Sequence, residues 1–244
     1  MFLSRIEIGP RAAEHDAFWR DVAHPYGAHQ ALWKLFGRGP DQKRDFLYRA
    51  DERSPRPGFL VLSAAAPESD DHGLWSVETK AFAPALRVGQ RLGFRLRASP
   101  VVRRGEGDGE ARRTRRHDVV MDLRKKLARQ SRPTWAGPDL VRDAGIVWLE
   151  SQAARAGFRI PKLERDEIRE DGLLEESTPE LAVRVDGYRQ HRILRRGERP
   201  ITFSTLDFEG VLEVADPAAF LGRVAQGFGP QKAFGCGLML LRRA

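Results

Sequence analysis

Tyr26, His29, Trp33 and Lys34 stand at spacings that chemistry can use. An imidazole with an ordinary pKa near neutrality gives up or takes a proton at physiological pH, so His29 is the candidate proton-transfer group. On a helix, Tyr26 lies three residues earlier and about 60° away, and Trp33 lies four residues later and about 40° away. The three rings then share one side. A phenol at Tyr26 can hydrogen-bond a hydroxyl or a phosphate oxygen. Lys34 is turned about 140° from His29 and reaches the same region only through its long stem. Proton transfer beside a fixed cation suits a reaction that builds up negative charge. A lone helix histidine is also a common surface residue, and spacing alone does not separate the two readings. No His, Cys or carboxylate cluster has metal-ligand spacing, so neither a metal nor a cofactor is expected.

The elements that must hold these side chains are legible in the hydrophobic pattern. Phe2, Leu3, Ile6 and Ile8 predict an opening strand over 1–8, followed by a polar, irregular stretch over 9–24 with room for a turn of helix. Pro25 suits the first turn of a helix running from Tyr26 to Phe36, which Gly37 ends. Ala28, Ala31, Leu32, Leu35 and Phe36 form its apolar stripe and predict docking on a sheet. Residues 45–49 and 59–62 predict a hairpin, and 75–82 a further strand. In 90–97, Leu92, Phe94 and Leu96 alternate with Arg91, Arg95 and Arg97, giving a strand with one core face and one cationic face. That cationic face either meets phosphates or is merely solvated.

Charge points to a polyanionic partner. Lys and Arg number 42 against 34 acids, for a net charge of +8. Most of the bases are arginines, which fork onto phosphates and stack on bases. A GC-rich coding sequence would also enrich arginine. The single cysteine, Cys236, excludes a disulfide framework and fits a reducing, cytoplasmic setting. The N-terminal residues carry no signal-peptide pattern, and no stretch approaches the roughly 18 apolar residues of a membrane span.

Residues 101–118 break the strand pattern. Arg103 and Arg104 lead into a Gly/Glu stretch and then Arg112, Arg113, Arg115 and Arg116. Between Arg112 and Arg132 there are nine bases and two acids, which predicts a mobile basic loop and linker over 101–136, in contact with RNA or simply solvated. Downstream, 138–156 reads as a helix and 158–160 as a strand. Residues 164–180 read as an acidic loop, 181–193 as a strand pair turning near Asp186 and Gly187, 201–214 as a strand, 217–224 as a helix and 238–241 as a final strand. His191 falls in the basic strand, where a phosphate contact is one use for it. The segment 227–237 is rich in glycine but lacks the context of a nucleotide-binding loop. Its amides and Lys232 either approach phosphates or form a tight connection to the last strand. The element order repeats, so the expected class is α+β with two tandem ferredoxin-like domains, 1–100 and 137–244, flanking the linker.

Six segments, taken in order, resemble the CasE family of CRISPR-associated RNA-processing enzymes. They are Met1–Arg5, His24–Phe36, Arg44–Tyr48, Gly93–Pro100, Phe208–Val214 and Gly227–Leu238. Ser99 stands where the family commonly has Asn, and 164–180 looks like an acidic insertion. The resemblance implies two ferredoxin-like domains, a CRISPR repeat RNA hairpin as substrate, and cleavage at its 3′ base. The product would stay bound and join other subunits of the Cascade complex. The 2′-hydroxyl beside the scissile phosphate would be the nucleophile, with His29, Tyr26 and Lys34 as the catalytic set. Arg103, Arg104, Arg112, Arg113, Arg115, Arg116 and Lys232 are the candidate RNA contacts, with Lys125 and Lys126 behind them. A non-catalytic RNA-binding subunit of the same fold is the alternative, and an enzyme acting on small anionic substrates is a more distant one.

Overall fold

A computed structural model describes residues 1–23, 25–36, 45–51, 58–70, 72–106, 113–130, 138–163, 166–168, 174–176, 180–195 and 198–244. The chain opens with β1 (Phe2–Ile8), a 3-10 turn (Pro10–Glu14), α1 (Asp16–Ala23), α2 (Pro25–Trp33) and a second 3-10 turn (Lys34–Phe36). Three strands follow, β2 (Phe46–Ala50), β3 (Gly58–Ser63) and β4 (Trp75–Ala81). Then come β5 (Arg91–Ala98), β6 (Val101–Glu106), β7 (Arg113–Asp118), α3 (Val119–Arg129) and α4 (Pro138–Ala156). Five short strands, β8 (Phe158–Arg159), β9 (Lys162–Leu163), β10 (Asp166–Ile168), β11 (Leu174–Glu176) and β12 (Glu180–Leu181), precede the long pair β13 (Val183–Arg195) and β14 (Glu198–Val214). The chain closes with α5 (Pro217–Gln226), a 3-10 turn (Lys232–Phe234) and β15 (Met239–Arg243).

Two principal sheets result. The first has the order β2-β3-β1-β4 and the second β13-β14-β5-β15, every pairing antiparallel. Counted from its own first strand, each has the order 2-3-1-4. That is the ferredoxin-like arrangement, with two strands flanking the first. In the second unit α4 makes the crossover from β5 to β13, and α5 the one from β14 to β15. In the first unit α1 and α2 link β1 to β2, whereas the described residues between β3 and β4 form bends and turns rather than a helix.

The core of the first unit gathers Ile6, Ile8, Phe46, Tyr48, Val61 and Trp75 under Ala28, Ala31, Leu32, Leu35 and Phe36. The stripe read from the sequence therefore docks on the sheet as expected. In the second unit, Leu92, Phe94 and Leu96 of β5 and Leu206, Phe208 and Leu212 of β14 face Ala144, Trp148 and Leu149 of α4. Each such large apolar side chain stabilises the fold by roughly 1.5–3 kcal/mol when fully buried. At Gly145 α4 packs directly against the sheet. A Cβ there would stand 2.4 Å from the Val185 methyl Cγ1, so only glycine fits.

Several expectations change. The stretch over 9–24, expected to be irregular, holds a 3-10 turn and the helix α1. Residues 91–98, expected within the 1–100 unit, are the central strand of the second sheet, because alternation within one strand does not say which sheet it joins. The segment 101–136 is not a loop over its described length: β6 and β7 pair as a hairpin, and α3 buries Val119 and Val120. Asp118 caps that helix, its carboxylate accepting the Met121 amide at 2.7 Å. The turn expected near Asp186 is a bulge in one continuous strand, with Gly187 at φ 66° and a register shift between Asp186 and Arg189. The acidic stretch over 164–180 holds the β10–β11 pair where it is described.

Candidate RNA interface and cleavage centre

α2 begins at Pro25, where a missing amide hydrogen costs nothing, and carries His29 to the edge of the first sheet. The His29 imidazole is half-buried. It lies 6.1 Å from the Tyr48 ring and nearly parallel to it, 5.6 Å from Phe46, and 5.8 Å from Trp33 at a steep angle. Nδ1 is shielded from solvent. The ring is thus clamped between its own helix and β2. A clamped imidazole has a fixed aim, which proton transfer requires.

Below His29, the Tyr48 hydroxyl donates to the Ala233 carbonyl oxygen at 2.8 Å. This bond ties β2 of the first unit to the glycine-rich segment of the second. The segment is folded tightly by residues in left-handed conformations, Gln231 at φ 61° and Gly235 at φ 75° among them. Gly237 at φ 95° closes it. Its amide donates to the Arg97 carbonyl oxygen at 2.7 Å, and its own carbonyl accepts the Phe228 amide at 3.0 Å.

One residue before Ala233, Lys232 reaches the other side of the segment and lines a cleft of about 1050 Å³. The Lys232 ammonium donates to the Gln226 carbonyl oxygen. Arg103, Arg104 and Arg116 of the hairpin form the opposite wall, while α3, α4 and α5 contribute Lys126, Arg155 and Arg223. Asp122 is the one acid among the described lining residues, and Arg104 grips it with two hydrogen bonds of 3.1 and 2.6 Å. That bond, together with the attraction of the charges, holds the Asp122 carboxyl below its usual range. Burial pulls the Arg223 guanidinium downward, and the neighbouring Arg155 adds to this. Arg223 donates to Gln152 at 2.8 Å and lies 5.2 Å from the Phe228 ring centre.

The hairpin sets like charges against each other, Arg103 opposite Arg116 and Arg104 opposite Arg115. Directly opposed like charges destabilise a two-stranded ribbon. A bound polyanion would reverse that penalty. The cationic face expected on β5 is instead satisfied within the sheet. Arg97 forks onto Asp207 at 2.9 and 2.8 Å, Arg95 meets Glu209 at 2.7 Å, and each pair sits in cross-strand register.

The structure brings Arg103, Arg104, Arg116 and Lys232 into one cleft. Arg115 is exposed on the hairpin outside the cleft lining. Arg112 lies outside the described residues, and only the backbone of Arg113 and Tyr26 is described. Lys34 lines a different depression, together with Glu68, Asp70 and His72. Arg155 and Arg223 were not singled out from the sequence. Both sit on helices whose apolar residues dominate the pattern, and nothing local marks their polar faces as one wall.

A family model described as "CRISPR associated protein" matches residues 1–243. The chain is 30% identical over 252 residues to the "CRISPR system Cascade subunit CasE" of Escherichia coli K12, covering 99% of this chain and 98% of that one. It is 30% identical over 247 residues to the "CRISPR-associated endoribonuclease Cse3" of Thermus thermophilus, covering 98% of each. Among solved structures, Thermus thermophilus Cse3 bound to an RNA representing a pre-cleavage complex superposes with a TM-score of 0.66 at 28% identity, over 99% of this chain and 98% of that one. The Cas6e protein of Escherichia coli K-12 gives 0.62 at 26% identity, over the full length of both chains.

Proposed function

Because the chain belongs to the CasE family of CRISPR-associated proteins, we propose that it is the endoribonuclease that cuts CRISPR repeat RNA and keeps the product. The observation that carries this reading is the junction at Ala233. One residue of the glycine-rich segment anchors the platform under His29, and its neighbour Lys232 lines the basic cleft. On this reading, RNA held in the cleft runs past this junction toward the imidazole.

RNA supplies its own nucleophile. The 2′-oxygen attacks the adjacent phosphorus as its proton leaves, and the 5′-oxygen departs with a proton. The products are a 2′,3′-cyclic phosphate and a 5′-hydroxyl. His29 moves one of these protons, Tyr26 hydrogen-bonds the 2′-hydroxyl or a phosphate oxygen, and Lys34 offsets the added charge. Nothing in this scheme calls for a metal. Arg103, Arg104, Arg112, Arg113, Arg115, Arg116 and Lys232 hold the hairpin by its phosphates and shape, since side chains do not read the deep groove of an RNA stem. Cleavage falls at the 3′ base of the hairpin, and the bound product enters Cascade, as the name of the Escherichia coli relative suggests. Among the described residues no helix is long and apolar enough to cross a membrane, and we place the work in the cytoplasm.

The test uses the repeat hairpin RNA in EDTA. Cutting should persist, give a cyclic phosphate end, and stop when the nucleotide before the break is 2′-deoxy. His29→Ala should keep RNA affinity and lose cutting by about 10²–10⁴-fold. Tight binding with no cutting by the unaltered protein would favour a non-catalytic subunit instead.

A further inference from the structure

A second feature lies beside Ala233, away from the cleft. The long strands β13 and β14 carry His191 and Phe203 directly opposite each other. Their rings stack at 4.8 Å and 18°, and Phe203 in turn meets Phe234 at 5.2 Å and 31°. The three rings form a column from the edge strand of the second sheet to the residue after Ala233. All three are half-buried, so the column reaches solvent.

The position within the fold matters. Leu206, Phe208 and Leu212 of β14 face the helices, so by alternation Phe203 and Thr205 lie on the helix-free face. His191 shares that face and bonds the Thr205 hydroxyl at 3.0 Å through Nε2. Phe203 on the interior strand β14 and His191 on the edge strand β13 present rings on the helix-free face, and exposed rings on a sheet can stack a base. Arg189, two residues from His191, is exposed on the same face. Burial pulls the His191 pKa down, and the nearby guanidinium groups of Arg97 and Arg189 add to this. Both effects favour the uncharged ring.

We propose that the His191–Phe203–Phe234 column is a stacking platform for an unpaired nucleotide that borders the RNA hairpin, with Arg189 facing its phosphate. The proposal rests on the RNA-cutting reading and adds a site that the hairpin cleft does not contain. It gives the protein a way to hold the single strand next to the hairpin.

The test compares the full chain on two RNAs made uncleavable by a 2′-deoxy nucleotide at the break: the bare repeat hairpin, and the hairpin with single-stranded flanks. 2-Aminopurine replaces the first unpaired base on either side in turn. Quenching on binding is expected at one of the two positions. Phe203→Leu should abolish it and weaken the flanked RNA by about 5- to 150-fold, with the bare hairpin bound as before. His191→Ala should act the same way, and His191→Tyr, which keeps a ring, should restore the quenching. The platform is overturned if the unaltered protein quenches neither base. It is also overturned if Phe203→Leu and His191→Ala both leave the ratio of flanked to bare affinity unchanged. A protein that binds neither RNA removes the hairpin reading itself, a result distinct from a lost preference for flanks.

Discussion

The Tyr48 hydroxyl and the Ala233 carbonyl oxygen, 185 positions apart in sequence, meet at 2.8 Å under the His29 ring. The bond makes the first sheet and the glycine-rich segment one support for the imidazole. Tyr48→Phe keeps the ring stack and removes only the hydroxyl. It should cost about 1 kcal/mol of stability and leave the Ala233 carbonyl in need of another donor. If the bond positions the catalytic group, cutting should fall more than RNA affinity does. Single-turnover cleavage measured beside filter binding separates the two.

Gly237 adopts φ 95°, and a Cβ there would stand 2.7 Å from the Phe228 carbonyl oxygen. Gly237→Ala therefore adds backbone strain and a clash with the neighbouring backbone. The expected loss is about 1–3 kcal/mol, which in a protein of this size lowers Tm by several degrees. Thermal unfolding followed by circular dichroism gives the answer, and an unchanged Tm would mean that the segment relaxes freely.

The hairpin arginines should behave in opposite ways in stability and in binding. Replacing Arg103 and Arg116 together by Ala removes a like-charge pair, so Tm should hold or rise slightly. RNA affinity should drop, and the slope of log affinity against log salt should become shallower by about one for each phosphate that the protein no longer neutralises. A salt titration of both proteins distinguishes this from simple unfolding.

Much of this was legible in the chain. The stripe of Ala28, Ala31, Leu32, Leu35 and Phe36 located α2 and its docking face, and three of the arginines singled out, Arg103, Arg104 and Arg116, line the cleft. Pairing was not legible. Arg91, Arg95 and Arg97 look like a cationic face until β14 places Glu213, Glu209 and Asp207 opposite them. The column of His191, Phe203 and Phe234 draws on three separate segments, and only the fold assembles it. The sharing of a cleft by Arg155 and Arg223 is likewise a product of how α4 and α5 lie.

Cys236 is buried, and desolvation pushes its thiol up to about 12. A raised pKa means that the reactive thiolate is scarce at pH 8 and grows only as the solution approaches that value. Iodoacetamide should leave the native protein unlabelled at pH 8 and modify it once denatured. Mass spectrometry of the intact chain reads the difference, and rapid labelling of the native form would show that the segment around Cys236 opens.

The central place of β5 in the second sheet bears on how the chain is made. Arg97 and its partner Asp207 are 110 residues apart, and a ribosome adds about 5–20 residues each second. The strand carrying Leu92, Phe94 and Leu96 thus leaves the exit tunnel about 5–20 s before β14 exists to cover it. During that interval an apolar ribbon hangs between a finished sheet and an unfinished one. Nascent chains of this protein should lean on holding chaperones at that point in synthesis.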